Sequence, residues 1–167
     1  MTLTIETDDN PRWWVDSSYA VHLDMKSHTE IFMSIGKGGG YTASRKQKLN
    51  TKSSMEAKLV AIDNAMGQIL WTRHFLVDQG VPVPVTTIYQ DNKSTILLSE
   101  NGKASSSKCT KHLYVHYYFV NDCIKHGEVK EAYCPTENML ADFLPSHFKE
   151  QHSDRCEAIY LICPSLT

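Results

Sequence analysis

Apolar and polar positions alternate over much of the first fifty residues and then change period. Thr2–Thr7 carries Leu3 and Ile5 between polar neighbours, which predicts a short opening strand. Asp8-Asp9-Asn10-Pro11 predicts a turn. Arg12–Val21, aromatic and β-branched at Trp13, Trp14, Val15, Tyr19 and Val21, predicts a strand entering the core. Ile31, Met33 and Ile35 alternate on one face of a second strand over 30–35. Gly36 and Gly38-Gly39-Gly40 then predict a hairpin turn, with Tyr41–Ser44 returning as a third strand.

The period changes after Ser53. Leu59, Ile62, Met66, Ile69, Leu70, Phe75 and Leu76 form a helical stripe, predicting a long helix from Ser54 to Gln79 that Gly80 and Pro82 stop. A strand over Val83–Gln90, a short helix over Lys93–Ser99 and a polar loop over Asn101–Lys108 follow. A second long helix is predicted over Cys109–Lys125 and a last strand over Val129–Tyr133, with a final helix from Met139 capped by Pro135-Thr136-Glu137-Asn138. A strand–helix–strand step with a long helix implies parallel pairing and a right-handed crossover. The expected fold class is therefore α/β: a mixed five-stranded sheet, three antiparallel strands then parallel ones, with helices packed on it.

Composition changes this picture little. The 167 residues suit one domain, and no run of apolar residues is long enough to span a membrane. The N-terminus lacks the features of a signal peptide, so the five cysteines, an odd number without regular spacing, are expected to be reduced thiols inside the cell. A net charge of −2 argues against a protein whose main property is non-specific nucleic-acid binding, which needs a basic face, while local basic clusters would still serve a nuclease.

Four acids stand where chemistry is plausible. Asp16 lies within an aromatic strand, Glu56 in the first turn of the long helix, Asp91 at the end of a strand, and Asp142 in the final helix. A buried carboxylate is costly unless a partner compensates it, and a cation is such a partner. Hard divalent ions take carboxylate oxygens, and two of them about 3.5–4 Å apart activate water and stabilise the leaving oxygen of a phosphodiester. Each acid also has a plainer role: Asp16 in a turn with Ser17 and Ser18, Glu56 in a capping box with Ser53, Asp91-Asn92 as a helix cap, and Asp142 as a solvated charge.

The blocks Trp14-Val15-Asp16-Ser17-Ser18-Tyr19-Ala20, Ser27-His28-Thr29, Ser44-Arg45-Lys46-Gln47-Lys48, Ser53-Ser54-Met55-Glu56-Ala57, Tyr89-Gln90-Asp91-Asn92-Lys93-Ser94, Thr110-Lys111-His112 and Tyr133-Cys134-Pro135-Thr136-Glu137-Asn138-Met139-Leu140-Ala141-Asp142 occur in order. Together they resemble the ribonuclease H domain of a copia-type (LTR) retrotransposon Pol polyprotein over roughly 13–143. The resemblance implies a ribonuclease H-like fold over 1–146, with 147–167 a divergent tail. It implies an endoribonuclease that cleaves the RNA strand of RNA–DNA hybrids during reverse transcription, with Asp16, Glu56, Asp91 and Asp142 as the catalytic, metal-binding carboxylates for two Mg²⁺ ions, Mn²⁺ substituting. It further implies the reverse transcriptase of the same polyprotein as partner, and a place in the cytoplasmic transposon particle or the nucleus. The sequence departs from the family pattern at Phe143-Leu144-Pro145-Ser146, where a Thr-Lys-Pro segment is usual, and at Glu30, where a small residue is usual.

Substrate contacts are expected from Ser17, Ser18, Asn92, Lys46, Lys48 and His112. Arg45 and Lys52 extend the first basic cluster, and Lys103, Lys108 and Lys111 form a second. Distinguishing RNA from DNA would need contacts to 2′-hydroxyls. Two rival readings stand beside the nuclease. One is a zinc-binding module using Cys109, His112, His116, Cys123, His126 and Cys134, although no Cys-x-x-Cys pair occurs. The other is a catalytically inactive relic of the same fold with a structural or interaction role.

Overall fold

The computed structural model describes residues 10–36, 38–101 and 111–143, the side chains of 101, 111–114 and 142–143 excepted. The chain runs β1 (Arg12–Ser18), β2 (His28–Ile35), β3 (Gly38–Lys46), α1 (Ser54–Asp78), β4 (Thr86–Gln90), α2 (Lys93–Asn101), α3 (Lys111–Lys125) and β5 (Val129–Tyr133). The sheet order is β3-β2-β1-β4-β5, antiparallel across β1–β2–β3 and parallel across β1–β4–β5. The expected mixed five-stranded sheet is therefore what forms. The predicted opening strand over 2–7, the loop over 102–108 and the tail over 147–167 lie outside the described residues.

The alternation in β1 and β2 sorts side chains to two faces. Trp13, Val15, Ile31 and Met33 pack beneath α1, against Ala61, Ile62, Ala65, Met66 and Ile69. Trp14 and Phe32 face the other way, onto Met139 and Ala141. With both faces of β1 covered, its middle residues are taken from water, and Asp16, half-buried beside them, gains its significance from that.

Helix α1 is bounded as its sequence suggests. Ser53 Oγ accepts from the Glu56 N–H at 3.2 Å, while a Glu56 carboxylate oxygen accepts from the Lys52 N–H at 2.7 Å. At the other end Gly80, at φ +79°, sends its N–H to Val77 and Val81 reaches back to Leu76, so a left-handed glycine closes the helix.

Several expectations need correction. β1 stops at Ser18 rather than Val21, just before Ala20 adopts a positive φ. β3 begins at Gly38, so the glycine run belongs to the strand, where the pairing slips between Met33 and Ser34. The strand predicted from Val83 begins only at Thr86. The final helix from Met139 is instead two 3₁₀ turns, Thr136–Asn138 and Leu140–Phe143. Met139 separates them with an extended backbone, its side chain fully buried among Trp14 and Phe32, and that anchoring interrupts a continuous helix.

Candidate acidic site at the ends of the central strands

β1 and β4 are parallel and adjacent, pairing Arg12 with Thr87, Trp13 with Ile88 and Trp14 with Tyr89. Continued by two residues, this register sets Asp16 opposite Asp91. The strands separate there: Gln90, fully buried, donates from Nε2 to the Val15 carbonyl at 2.6 Å and fills the gap with its side chain. β2 leaves β1 on one side, and β4 joins it on the other after a helical crossover. The opening between β1 and β4 is thus a switch point, where α/β sheets place ligand sites beyond the carboxyl ends of their strands.

A residue that the sequence reading did not single out occupies that opening. Lys58, in the second turn of α1 and buried, points its ammonium at both aspartates. Nζ lies 2.5 Å from Asp16 Oδ1 and also contacts Asp91 Oδ1. All three side chains are largely withdrawn from solvent, at 9%, 13% and 19% exposure for Lys58, Asp16 and Asp91. Burial opposes the ammonium, yet its hydrogen bonds to Asp16 and Asp91 prevail and hold the Lys58 pKa above the usual lysine value. The trio thus carries an ammonium against two carboxylates, and β2 sets Glu30, buried, directly across from Asp16.

The other expected site residues fall in different places. Glu56 stands two residues before Lys58 on α1, a spacing that puts side chains on different helix faces, and its carboxylate accepts from the Lys52 N–H, just ahead of the Ser53 cap. It therefore does not join Asp16 and Asp91 at Lys58. Asp142 falls in the 3₁₀ turn Leu140–Phe143, which packs by way of Ala141 on the Trp14 face, and its side chain lies outside the described residues. Asn92 caps α2, its Oδ1 accepting from the N–H groups of Ser94 and Thr95 at 2.9 and 3.2 Å. The alternatives left open for Asp91-Asn92 thus divide, Asn92 capping and Asp91 turning to Lys58. Ser17 is buried with no partner for its hydroxyl, and Ser18 is half-buried. Lys46 and Lys48 are exposed, with Lys46 Nζ 2.8 Å from Asp24. His112 lies in α3, its side chain outside the described residues. His116 is turned away from a zinc cluster, its Nδ1 2.5 Å from Asp63 Oδ2 on α1.

Hard divalent ions need several oxygen donors. Here the two nearest carboxylates already hold an ammonium, and Glu56 is engaged at the helix start. Among the described residues no group of three or more His, Cys, Asp or Glu is placed to hold a metal ion. This donor set does not fit a pair of divalent ions as it stands. Lysine gives no signal in a search for carboxylates. The signal that could have found Lys58 is its place immediately before Leu59, within the buried stretch of α1, where a solvated lysine does not belong.

No protein-family model matches the chain. Among solved structures it superimposes on a ribonuclease H1 isolated from compost, LC11-RNase H1, with a TM-score of 0.59 at 12% identity, covering 80% of this chain and 91% of that one. The same enzyme in complex with RNA/DNA hybrid gives a TM-score of 0.56 at 10% identity. The protease-reverse transcriptase of a foamy virus in complex with RNA/DNA hybrid gives 0.60 at 14% identity, covering 90% of this chain and 21% of that one. The chain has the ribonuclease H fold. In sequence it is similar to the retrovirus-related Pol polyprotein from transposon TNT 1-94 of Nicotiana tabacum, 23% identical over 147 residues, 87% of this chain. It is also similar to that from transposon RE2 of Arabidopsis thaliana, 30% identical over 105 residues, 61% of this chain. The chain spans only 11% and 7% of the length of these relatives. A ribonuclease H fold joined to Pol likeness agrees with the resemblance to a copia-type Pol ribonuclease H domain. No helix among the described residues is long and apolar enough to cross a membrane.

Proposed function

We propose that this chain is the ribonuclease H domain of a retrotransposon Pol polyprotein, and that it takes an RNA–DNA hybrid where β1 and β4 part, beside the reverse transcriptase of the same polyprotein. The observation that carries this reading is the meeting of Asp16 and Asp91 at the ends of adjacent parallel strands, at the switch point of a ribonuclease H fold. The hybrid bound by LC11-RNase H1 and by the foamy virus protein supports it. The cations Lys46, Lys48 and Lys52 lie at the end of β3 and in the approach to α1, exposed and suited to phosphate.

The resemblance implies a finer reading, hydrolysis of the RNA strand by two Mg²⁺ ions held by Asp16, Glu56, Asp91 and Asp142. Mg²⁺ or Mn²⁺ would supply an activated water and charge neutralisation at the scissile phosphate. The described donors do not fit such ions as they stand. One observation favours the second reading, a ribonuclease H fold kept for hybrid binding or for a structural role: the Lys58 ammonium between the aspartates.

Fluorescence anisotropy tests the proposal, with a labelled RNA–DNA hybrid and a double-stranded DNA of the same sequence, in EDTA so that binding is read apart from cleavage. Tighter binding to the hybrid is expected. Equal affinity for both duplexes, or none for either, refutes the assignment.

A further inference from the structure

Lys58 disagrees with the chemistry that the fold implies, and the disagreement is specific. Its side chain leaves α1 between Ala57 and Leu59, both buried, in a stretch packed on the sheet. Lysine is rarely so buried unless paired. It is held there by Asp16 and Asp91 together, the two acids that the strand register brings into one opening. We infer that Lys58 is a covalently tethered cation for this site: its ammonium occupies the space between Asp16 and Asp91, so that in the native chain the pair neither collects divalent ions nor supports cleavage of the hybrid.

The argument is one of charge and room. Two carboxylates that face each other in a buried opening repel unless a cation lies between them. A divalent ion and an ammonium are alternative solutions that need the same oxygens. The tethered one is always present at the site, whereas the free one must displace it and then sit beside its positive charge. The described surroundings offer an incoming ion little in exchange. Glu56 is committed to the Lys52 N–H, and no cluster of three potential ligands forms among the described residues. A carboxylate at position 58 would reverse the situation, placing a third acid on the same helix face and aiming it at the same two aspartates.

This inference rests on reading the opening as a ribonuclease H site, and the experiment separates the two. The full chain, Lys58→Glu and Lys58→Gln are compared by thermal melting in EDTA, Mg²⁺ and Mn²⁺, by hybrid cleavage on a gel, and by hybrid binding in EDTA. The native chain should melt at the same temperature with or without either ion and leave the hybrid intact. Lys58→Glu should melt lower in EDTA and rise by several degrees with Mn²⁺ or Mg²⁺, a rise abolished by adding Asp16→Asn. Lys58→Gln, which merely removes the ammonium, should show a smaller rise and keeps the test readable if Lys58→Glu fails to fold. A native chain that is stabilised by Mg²⁺ as much as the variants, or that cleaves the hybrid, overturns the inference. Loss of hybrid preference in EDTA refutes the functional reading instead, leaving the metal-dependent melting to be judged on its own.

Discussion

Glu131 stands in the middle of β5 with both carboxylate oxygens buried and without hydrogen-bond partners, while the neighbouring Ser99 hydroxyl donates to the Thr95 carbonyl. Burial, reinforced by the charge of Glu100, pushes its pKa up to about 8. The folded state therefore keeps a proton that the unfolded state has already lost between about pH 4.5 and 8, and stability falls as pH rises through that window. Glu131→Gln should flatten this dependence and raise stability at pH 7 by at most about 3 kcal/mol, read from urea melts at several pH values. Lys58 has the opposite character. Its raised pKa means that its contribution is fully present below the ordinary lysine value of 10.5 and fades as pH climbs through the higher folded value. Lys58→Met should cost about 3–5 kcal/mol, because it leaves Asp16 and Asp91 facing one another without a counter-ion. Asp16→Asn should cost less, about 1.5–3 kcal/mol, since Asp91 still holds the ammonium. The double variant should be less destabilised than the sum, and strict additivity would mean that the contact contributes nothing. At this scale the sequence was half legible. Asp16 and Asp91 are recognisable because acids at apolar strand ends are conspicuous, whereas Glu56 turns its carboxylate to the Lys52 N–H ahead of the helix cap. Lys58 escaped notice because a single charge inside a helical stripe reads as an interruption of the pattern until the opposing acids are located.

The elements were far easier to read than their ends. The stripe from Leu59 to Leu76 and the glycine that closes α1 placed that helix to within a residue. β5 matched its prediction fully, because its boundaries carry strong signals, Gly127 before and Pro135 after. The misjudged boundaries are those set by tertiary contact. Gly38 and Gly39 join β3 because β2 offers them partners, and Met139 breaks the last helix because the Trp14–Phe32 face takes its side chain. Helix α1 gives the prediction proper to this scale. Ser53→Ala removes the acceptor for the Glu56 N–H and should cost about 1 kcal/mol. The same change frees the start of the helix that carries Lys58, so hydrogen exchange should quicken at Glu56 and Ala57 while the middle of α1, around Ile62 and Met66, stays protected. Uniform acceleration along α1 would show that the cap has no local role.

For the molecule as a whole, net charge and local charge pull in different directions. A chain at −2 attracts a polyanion through local basic clusters, and among the described residues Lys46, Lys48 and Lys52 form an exposed one. Each phosphate contact contributes about 0.9 to the slope of log affinity against log salt. Lys48→Ala should therefore lower that slope by nearly one, and Lys46→Ala by less, since Asp24 already holds the Lys46 ammonium in the free protein. Unchanged slopes in both variants would move the hybrid to another face. The bond from Gln90 to Val15 joins residues 75 apart in sequence, and across it the two halves of the acidic site meet. The first three strands are antiparallel neighbours that can form from nearby chain, whereas β1 finds β4 only by closing a long loop, an intrinsically slow event. Asp16 and Lys58 both precede Asp91 in the chain, so on a ribosome the second aspartate is the last of the three to emerge.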